Sequence, residues 1–158
     1  MLFSIIIPAF NAERYLHDSL KSVRMQIFTD YETIIVDDGS TDKTGEIADS
    51  FAGETSRTHV IHQENEGLLL ARRTGLQAAS GKYVVFLDAD DSLRSTALQD
   101  IADAIHKYNV DIVSFRYSRQ DNFLTSDSPS PLPVGIYNGE RFEEAKLHLC
   151  KGRFNEMW

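Results

Sequence analysis

The stretch "LFSIIIPAF", residues 2–10, is the clearest indication of the fold. Its first part, residues 2–7, is an almost continuous apolar run that Pro8 closes. Continuous runs, unlike alternating ones, are typical of strands that helices cover on both faces of a sheet. The stretch therefore predicts a first, buried strand of an α/β domain.

Strand and helix patterns alternate downstream of this first strand. Further strands are predicted at residues 33–36, 59–62, 83–87 and 110–115. Helical spacing of apolar residues predicts a helix after Asn11 that includes Ile27, one that follows "DDGS", one over residues 67–80, and one that contains Leu98 and Ile105. This alternation predicts a doubly wound, Rossmann-like domain with a mainly parallel sheet and helices on both faces.

The pattern changes after residue 115. "SDSPSPLP", residues 126–133, concentrates Ser and Pro and predicts a loop, and a helical stripe returns after Gly139. The chain then stops at "GRFNEMW" without a cap or a closing strand. We expect a ligand-binding α/β domain over residues 1–115, then a loop and helix over residues 116–158 that begin an incomplete second region.

Composition limits the classes of protein. The chain has 158 residues, of which 42% are hydrophobic and 25% are charged, as in one soluble globular domain. Its net charge of −8 makes nucleic acid an unlikely partner by repulsion, and its single cysteine, Cys150, excludes an internal disulfide. No apolar run reaches the roughly eighteen residues of a membrane span. We expect a cytoplasmic protein, including the cytoplasmic face of a membrane.

Candidate site residues follow the predicted strands. Open parallel sheets bind ligands beyond the carboxyl ends of their strands. The first strand leads into Phe10 and Asn11. Five carboxylates follow the second and fourth strands: Asp37, Asp38, Asp88, Asp90 and Asp91. The sequence therefore predicts an acidic ligand site at this edge of the sheet.

The acidic cluster "DADD", residues 88–91, predicts a metal site. Neighbouring carboxylates repel one another and raise one another's pKa, and a divalent cation would relieve this repulsion. Mg²⁺ and Mn²⁺ take oxygen ligands, and one or two protein carboxylates suffice for Mg²⁺. We interpret Asp88 and Asp90 as metal ligands. Asp91 is interpreted instead as a solvated turn residue or the cap of the next helix.

Other candidates have two interpretations each. Asp38 could accept a hydrogen bond from a pyrimidine imide while Phe10 stacks on the base, although Phe10 could equally be an aromatic at the margin of the core. Glu13 could belong to the site or could merely complement the dipole of the helix that follows it. Of Arg72 and Arg73, one is expected to meet a diphosphate and the other to be a surface charge. Residues 40–42 are interpreted as helix caps, and the five histidines show no ligand spacing.

The order of motifs resembles the family 2 glycosyltransferases of the GT-A fold. The resemblance covers residues 4 to about 115 and rests on "SIIIPAFNAERYLHDSLKSV", "YETIIVDDGSTDKT" and "HQENEGLLLARRTGLQAASGKYVVFLDADD". It implies transfer of a sugar from a nucleotide diphosphate donor, most often a UDP-sugar, to an acceptor hydroxyl with inversion. It also implies bound Mg²⁺ or Mn²⁺ and a role in polysaccharide or glycolipid assembly.

The resemblance also implies roles for single residues. It assigns nucleotide binding to the following residues: Pro8, Phe10, Glu13, Asp38, Arg72 and Asp88. Asp90, together with Asp88, would hold the metal in an Asp-X-Asp motif. The general base, an Asp or Glu of the acceptor half, is expected beyond Trp158, so we expect donor binding with little transfer by this chain alone. Arg73 and Glu66 depart from the family's usual residues and leave the donor sugar open.

Three alternatives stay open at this level. The first is a non-catalytic nucleotide-binding module. The second is a sugar nucleotidyltransferase, although "PAFNAERYL" is not the Gly-rich basic loop that such enzymes carry. The third is a phosphoacceptor receiver domain, although Arg116 directly follows the fifth predicted strand and no lysine occurs between it and Lys146.

Overall fold

A computed structural model describes residues 1–114 of the chain. The loop and helix predicted in residues 116–158 lie outside this range. The elements alternate in the order β1 (Phe3–Ala9), α1 (Leu16–Arg24), β2 (Tyr31–Asp38), α2 (Thr44–Gly53), β3 (Thr58–Gln63), α3 (Leu68–Ala78), β4 (Tyr83–Phe86) and α4 (Ala97–Tyr108). The prediction of an alternating α/β domain is confirmed.

The sheet has four strands within the described residues, and all of them are parallel. Their order is β3-β2-β1-β4. Ile6 of β1 lies between Ile34 of β2 and Phe86 of β4 in the register. Every residue of β1 and β2 is buried, as the continuous apolar run around Ile6 predicts. These two strands therefore form the centre of the core.

Helix α3 lies close to the sheet because its inward residues are small. Ala71 is fully buried. A Cβ at Gly75 would lie 2.4 Å from Cγ2 of Ile6 and 3.3 Å from Cγ2 of Val36. Only glycine therefore permits this approach of α3 to β1 and β2, as the small residues of the helix predict.

A buried carboxylate joins three segments at the start of the strands. Glu32 accepts hydrogen bonds from the Ser4 hydroxyl at 2.6 Å, the Ser80 amide at 2.7 Å and the Ser80 hydroxyl at 2.9 Å. The Gly81 amide donates to the Ser4 hydroxyl at 2.8 Å. Burial opposes ionisation of Glu32, but these hydrogen bonds outweigh it and lower the pKa of the carboxyl. We call this group, Ser4, Glu32, Ser80 and Gly81, the amino edge.

Two predicted elements differ from the structure. Helix α1 ends at Arg24, so Ile27 lies outside the helix and its side chain is 60% exposed. The fifth strand does not form over residues 110–114, which are irregular, and Phe115 lies outside the described residues. Apolar β-branched residues form a strand only where another strand pairs with them, and a local pattern cannot reveal that partner.

The described part of the chain forms two units. Residues Met1–Ile101 form the first, and the second begins at Ala102, within α4. The predicted boundary at residue 115 stays a prediction. No helix within residues 1–114 is long and apolar enough to cross a membrane.

Candidate functional site

Three loops follow the carboxyl ends of β1, β2 and β4. They are residues 10–15 after β1, 39–43 after β2 and 87–96 after β4. Strand β1 lies between β2 and β4, so the chain extends from β1 in opposite directions along the sheet. In open α/β sheets the ligand crevice forms at such a reversal of strand order. We call these three loops the carboxyl edge.

Two of the candidate nucleotide-binding residues lie at the end of β1. Pro8 is buried within the strand, in register with Val36 of β2. Phe10 is the first residue beyond the strand, and its side chain is 50% exposed. A half-exposed aromatic ring at the reversal of strand order offers one face for stacking on a planar ligand.

The loops after β1 and β2 are bound to each other. Asn11 has a φ of 49°, and its amide donates to the Ser40 hydroxyl at 3.0 Å. Its side-chain oxygen accepts a hydrogen bond from the Thr41 amide at 2.9 Å. The Ala12 amide donates to the Thr44 hydroxyl at 2.7 Å. The interpretation of Ser40 and Thr41 as mere helix caps is therefore wrong, because they fix the loop that carries Phe10.

Glu13 takes part in the same contact between loops. Helix α1 begins at Leu16, so Glu13 precedes it and does not complement its dipole as predicted. Instead, the Glu13 carboxylate accepts a hydrogen bond from the Lys43 amide at 3.2 Å, at the N-terminus of α2. The Glu13 amide in turn donates to Asp42 at 3.1 Å. Glu13 therefore orients the first loop against α2.

Asp38 is a buried residue with several partners. Its side chain accepts hydrogen bonds from the Gln63 amide group at 2.7 Å, the Glu66 backbone amide at 3.0 Å and the Gly67 backbone amide at 2.8 Å. Asp38 thereby fixes the segment that leads from β3 into α3. Oxygen Oδ2 accepts only the bond from Gly67 within residues 1–114, so this buried oxygen retains the capacity to accept one more hydrogen bond.

Arg72 and Asp88 form an ion pair between α3 and the loop after β4. Nη2 of Arg72 lies 2.6 Å from Oδ1 of Asp88, and the guanidinium carbon lies 5.8 Å from the centre of the Phe86 ring. Within the described residues, Nε of Arg72 is buried without a hydrogen-bond partner. Arg73, the next residue, is exposed. The helix thus presents one arginine to the carboxyl edge and the other to solvent.

Of the three carboxylates in the acidic cluster after β4, only Asp88 has a cationic partner, Arg72, within the described residues. Burial and then the charges of Asp90 and Asp88 raise the pKa of the Asp91 carboxyl. Asp91 does not cap α4, which begins only at Ala97, so the cap interpretation is wrong, whereas the interpretation as a solvated turn residue is confirmed. The Asp91 amide donates instead to the Asp88 carbonyl at 3.0 Å, which closes a turn. This turn places three carboxylates together.

The chemistry of the acidic cluster fits a hard divalent cation that is only partly enclosed by protein. Within residues 1–114, no three His, Cys, Asp or Glu side chains are arranged to enclose a metal ion. Asp90 is exposed, and Asp88 engages Arg72 through one oxygen. A cation that needs one or two carboxylates and completes its shell with water and phosphate oxygens matches this donor set.

The structure also reveals a polar cluster without a predicted role. The His62 ring lies between Asp37 of β2 and Asp49 of α2, at 3.0 Å and 3.1 Å. The histidines show no ligand spacing in the sequence, because the partners of His62 come from two other elements. The parallel register, which pairs His62 with Asp37, is the signal that could have revealed this contact.

Comparison with known proteins identifies one family. The sequence pattern of "Glycosyl transferase family 2" matches residues 4–154. An uncharacterized glycosyltransferase of Bacillus subtilis, EpsJ, is 39% identical over 154 residues, which are 97% of this chain and 45% of that protein.

Two solved structures resemble the described fold. Staphylococcus aureus TarS 1-349 in complex with UDP-GlcNAc is 33% identical over 69% of this chain and 32% of its own, with a TM-score of 0.66. The mannosyltransferase PcManGT of Pyrobaculum calidifontis, in complex with GDP-Man and Mn²⁺, is 26% identical over 65% of this chain and 31% of its own, with a TM-score of 0.58. The chain therefore spans less than half the length of each of these relatives.

Proposed function

The chain belongs to glycosyl transferase family 2, and we propose on this premise that it forms the donor-binding part of an inverting glycosyltransferase. The donor is a nucleoside diphosphate sugar, with UDP as the nucleotide. The acceptor is a saccharide or glycolipid hydroxyl. Residues 1–115 bind the donor, and residues 116–158 begin the acceptor side.

The observation that carries this proposal is the Arg72–Asp88 ion pair at the reversal of strand order. It brings the Arg72 guanidinium, which has free donors, next to the acidic cluster after β4. Strand β4 pairs with β1, whose following loop carries Phe10. Guanidinium groups bind phosphate oxygens in two-point geometry. A site for a diphosphate therefore forms on one side of β1 and a surface for a base on the other.

The base-binding side consists of Phe10, Asp38 and the loop that Glu13 orients. The exposed face of Phe10 stacks on the pyrimidine, and Oδ2 of Asp38 accepts the hydrogen bond of its imide. The UDP and UDP-GlcNAc complexes of TarS support UDP as the nucleotide. Pro8 is buried within β1, two residues before Phe10, and so helps to hold the strand end from which Phe10 projects.

The diphosphate side consists of Arg72, Asp88 and Asp90. During transfer, the acceptor oxygen attacks the anomeric carbon, the bond from that carbon to the β-phosphate oxygen breaks, and a base of the acceptor side takes the hydroxyl proton. The nucleoside diphosphate leaves with the bonding electrons. Arg72 stabilises the charge that develops on its β-phosphate.

A divalent cation belongs to this proposal. Asp90 and Asp88 would hold it, and it would neutralise negative charge on the leaving diphosphate. The Mn²⁺ in the PcManGT complex supports the use of a divalent metal, Mn²⁺ or Mg²⁺. Asp88 would then interact with both the cation and Arg72.

Calorimetric titration of the chain with UDP tests the proposal, once with Mn²⁺ and once with a chelator. We expect binding that requires the metal and that is stronger for UDP than for GDP. Phe10→Ala should weaken it about tenfold, since stacking of a base on an aromatic ring contributes roughly 1–3 kcal/mol. Tyr15→Ala is the matched control, because Tyr15 is similarly exposed in the same loop.

The outcomes separate the proposal from its alternatives. Absence of metal-dependent binding would contradict a donor site within this chain. Binding of UDP without turnover of a UDP-sugar by a longer chain that carries the same residues would favour a non-catalytic nucleotide-binding module. Equal weakening by Phe10→Ala and Tyr15→Ala would contradict the assignment of Phe10.

A further inference from the structure

We propose that His62 is a positioning residue for the donor pocket. Its doubly protonated ring connects Asp37 of β2 to Asp49 of α2 and thereby holds the loop after β2 against the loop that carries Phe10. The inference rests on the proposed function only in its consequence, which is that loss of the His62 proton weakens nucleotide binding.

The geometry around His62 requires both ring nitrogens to donate. Nδ1 lies 3.0 Å from Oδ2 of Asp37, and Nε2 lies 3.1 Å from Oδ1 of Asp49. Ionised carboxylates only accept hydrogen bonds, and a neutral imidazole has only one N–H. Both contacts therefore form together only with the imidazolium. A neutral ring would place a lone pair against one of the carboxylates.

The backbone of α2 is shaped to this cluster. A Cβ at Gly45 would lie 2.9 Å from Oδ2 of Asp37 and 3.4 Å from Cε1 of His62. Any larger residue at position 45 would therefore displace the carboxylate that His62 binds. Asp37 is nearly buried, whereas the His62 side chain is 50% exposed. The ring can thus exchange its proton with solvent while it holds a buried partner.

Two routes lead from His62 to the loop after β1. In the first, Oδ1 of Asp37 accepts a hydrogen bond from the Ser40 amide at 3.1 Å, and the Ser40 hydroxyl accepts one from the Asn11 amide at 3.0 Å. Asn11 is the neighbour of Phe10. A contact at His62 therefore reaches the backbone beside Phe10 through two intervening side chains.

The second route passes through α2. Asp49 lies on this helix, and Thr44 is its first residue. The Thr44 hydroxyl accepts a hydrogen bond from the Ala12 amide at 2.7 Å. The position of α2 relative to β3, which the contact of His62 with Asp49 helps to set, therefore also bears on the loop that carries Phe10. Both routes end on adjacent residues of that loop.

The charges around the ring stabilise the imidazolium. β2 contributes Asp37 and α2 contributes Asp49. Hydrogen bonds to Asp37 and Asp49 raise the pKa of His62, with a further contribution from their charges, and partial burial opposes the shift. Because the pKa is raised in the folded state, the contact is complete below the ordinary histidine value and is lost as the pH rises through the raised value.

Two measurements on the whole chain test the inference, with His62→Gln as the variant and His59→Gln as the matched control. His59 is exposed on the same strand. The first measurement follows the His62 ring and the Asn11 and Ala12 amides by NMR from about pH 6 to about pH 9. We expect the amides to shift with the ring in wild type and in His59→Gln, and to lose this titration in His62→Gln.

The second measurement follows UDP affinity with Mg²⁺ over the same pH range. At low pH, His62→Gln should bind UDP about fivefold more weakly than wild type, which is the lower end of typical coupling between sites. This ratio should approach one as wild-type His62 loses its proton. His59→Gln should match wild type throughout, and Asp49→Asn should weaken binding in the same direction as His62→Gln.

The outcomes distinguish this inference from the proposed function. If the ratio of UDP affinities between wild type and His62→Gln stays constant with pH, His62 has only a structural role and the inference is overturned. The inference is also overturned if the Asn11 and Ala12 amide shifts do not change as the His62 ring titrates. Loop amides that follow the ring in a chain that binds no UDP would support the positioning of the loop and contradict the proposed function instead.

Discussion

Glu32 and Asp91 lie near opposite ends of the same sheet, and their carboxyl groups respond oppositely to their surroundings. Burial disfavours the charge of Glu32, yet hydrogen bonds from Ser4, Ser80 and Gly81 lower its pKa. Burial also disfavours the charge of Asp91, but its neighbours Asp90 and Asp88 add repulsion and raise its pKa. The same chemical group thus stabilises the fold at one edge and destabilises it at the other.

The difference indicates what each edge of the sheet contributes. At the amino edge, one carboxylate faces only hydrogen-bond donors, and the network joins β1, β2 and the segment that precedes β4. At the carboxyl edge, three carboxylates share one turn. Within the described residues only Asp88 has a cationic partner, and mutually repelling carboxylates of this kind are typical of functional sites. Substitutions at the two edges should therefore separate stability from binding.

The largest effect on stability is expected from Glu32→Ala. The substitution leaves the buried Ser4 hydroxyl and the partly buried Ser80 amide without their acceptor, which should lower the free energy of unfolding by about 2 kcal/mol. Urea denaturation at neutral pH measures this change. Glu64→Ala, at an exposed position after β3, is the control and should leave stability unchanged within about 0.5 kcal/mol.

Urea denaturation at lower pH tests whether the ionised Glu32 carboxylate causes this stability difference. Because the pKa of Glu32 is lowered in the folded state, its contribution is present above the ordinary glutamate value and is lost as the pH falls through the lowered one. The difference between wild type and Glu32→Ala should therefore shrink in acid. A difference that stays constant down to the acid transition would assign the effect to packing alone.

The largest effect on binding is expected from Asp90→Ala at the opposite edge. Removal of a proposed metal ligand should weaken metal-dependent UDP binding by about 100-fold or more. The free energy of unfolding without metal should stay the same or rise slightly, since one repelling charge is removed. Calorimetry with UDP and Mn²⁺, together with urea denaturation in chelator, measures both.

Asp91→Asn is the matched control for this binding measurement. It removes a charge of the same cluster but no proposed ligand, so UDP affinity should stay within about threefold of wild type. Equal loss of binding in the two variants would assign the effect to net charge rather than to coordination. A large loss of stability in Asp90→Ala would contradict the separation between the edges.

Some parts of the fold were predictable from sequence and others were not. The buried run around Ile6 and the small residues of α3 predicted the centre of the sheet, because apolar pattern and residue size act locally. The prediction of a fifth strand at residues 110–114 failed for a different reason. Whether an apolar run forms a strand depends on a neighbouring strand, and no local pattern contains that information.

The candidate site was predictable only in its position. Strand ends placed Phe10, Asp38 and Asp88 on one edge because the carboxyl ends of parallel strands meet there. The partners of Asp38, the contact of Ser40 with Asn11 and the position of His62 between two carboxylates depend on side chains from separate elements. Separate elements meet only after packing, so residue spacing does not reveal these contacts.

A smaller effect on binding is expected from Arg72→Lys. Lysine keeps the charge but loses the planar fork that can meet Asp88 and a phosphate together, so UDP affinity should fall about tenfold. Arg73→Lys is the matched control, because Arg73 is exposed on the same helix and should leave affinity unchanged. Calorimetry with UDP and Mn²⁺ measures both. Equal losses would contradict the assignment of Arg72 to the diphosphate.

The smallest effect is expected from Asp91→Asn on the stability of the metal-free chain. Because the pKa of Asp91 is raised in the folded state, its ionisation destabilises the fold as the pH rises, and neutral asparagine removes this cost. Only part of the Asp91 carboxyl is desolvated and the residue as a whole is exposed, so solvent screens the repulsion and the gain should be only about 0.5 kcal/mol or less at neutral pH. Urea denaturation should show the gain vanishing in acid, where Asp91 is protonated, and in saturating Mn²⁺, where a cation offsets the repulsion. A gain that persists in acid would assign it to hydrogen bonding and remove the electrostatic difference between the two edges.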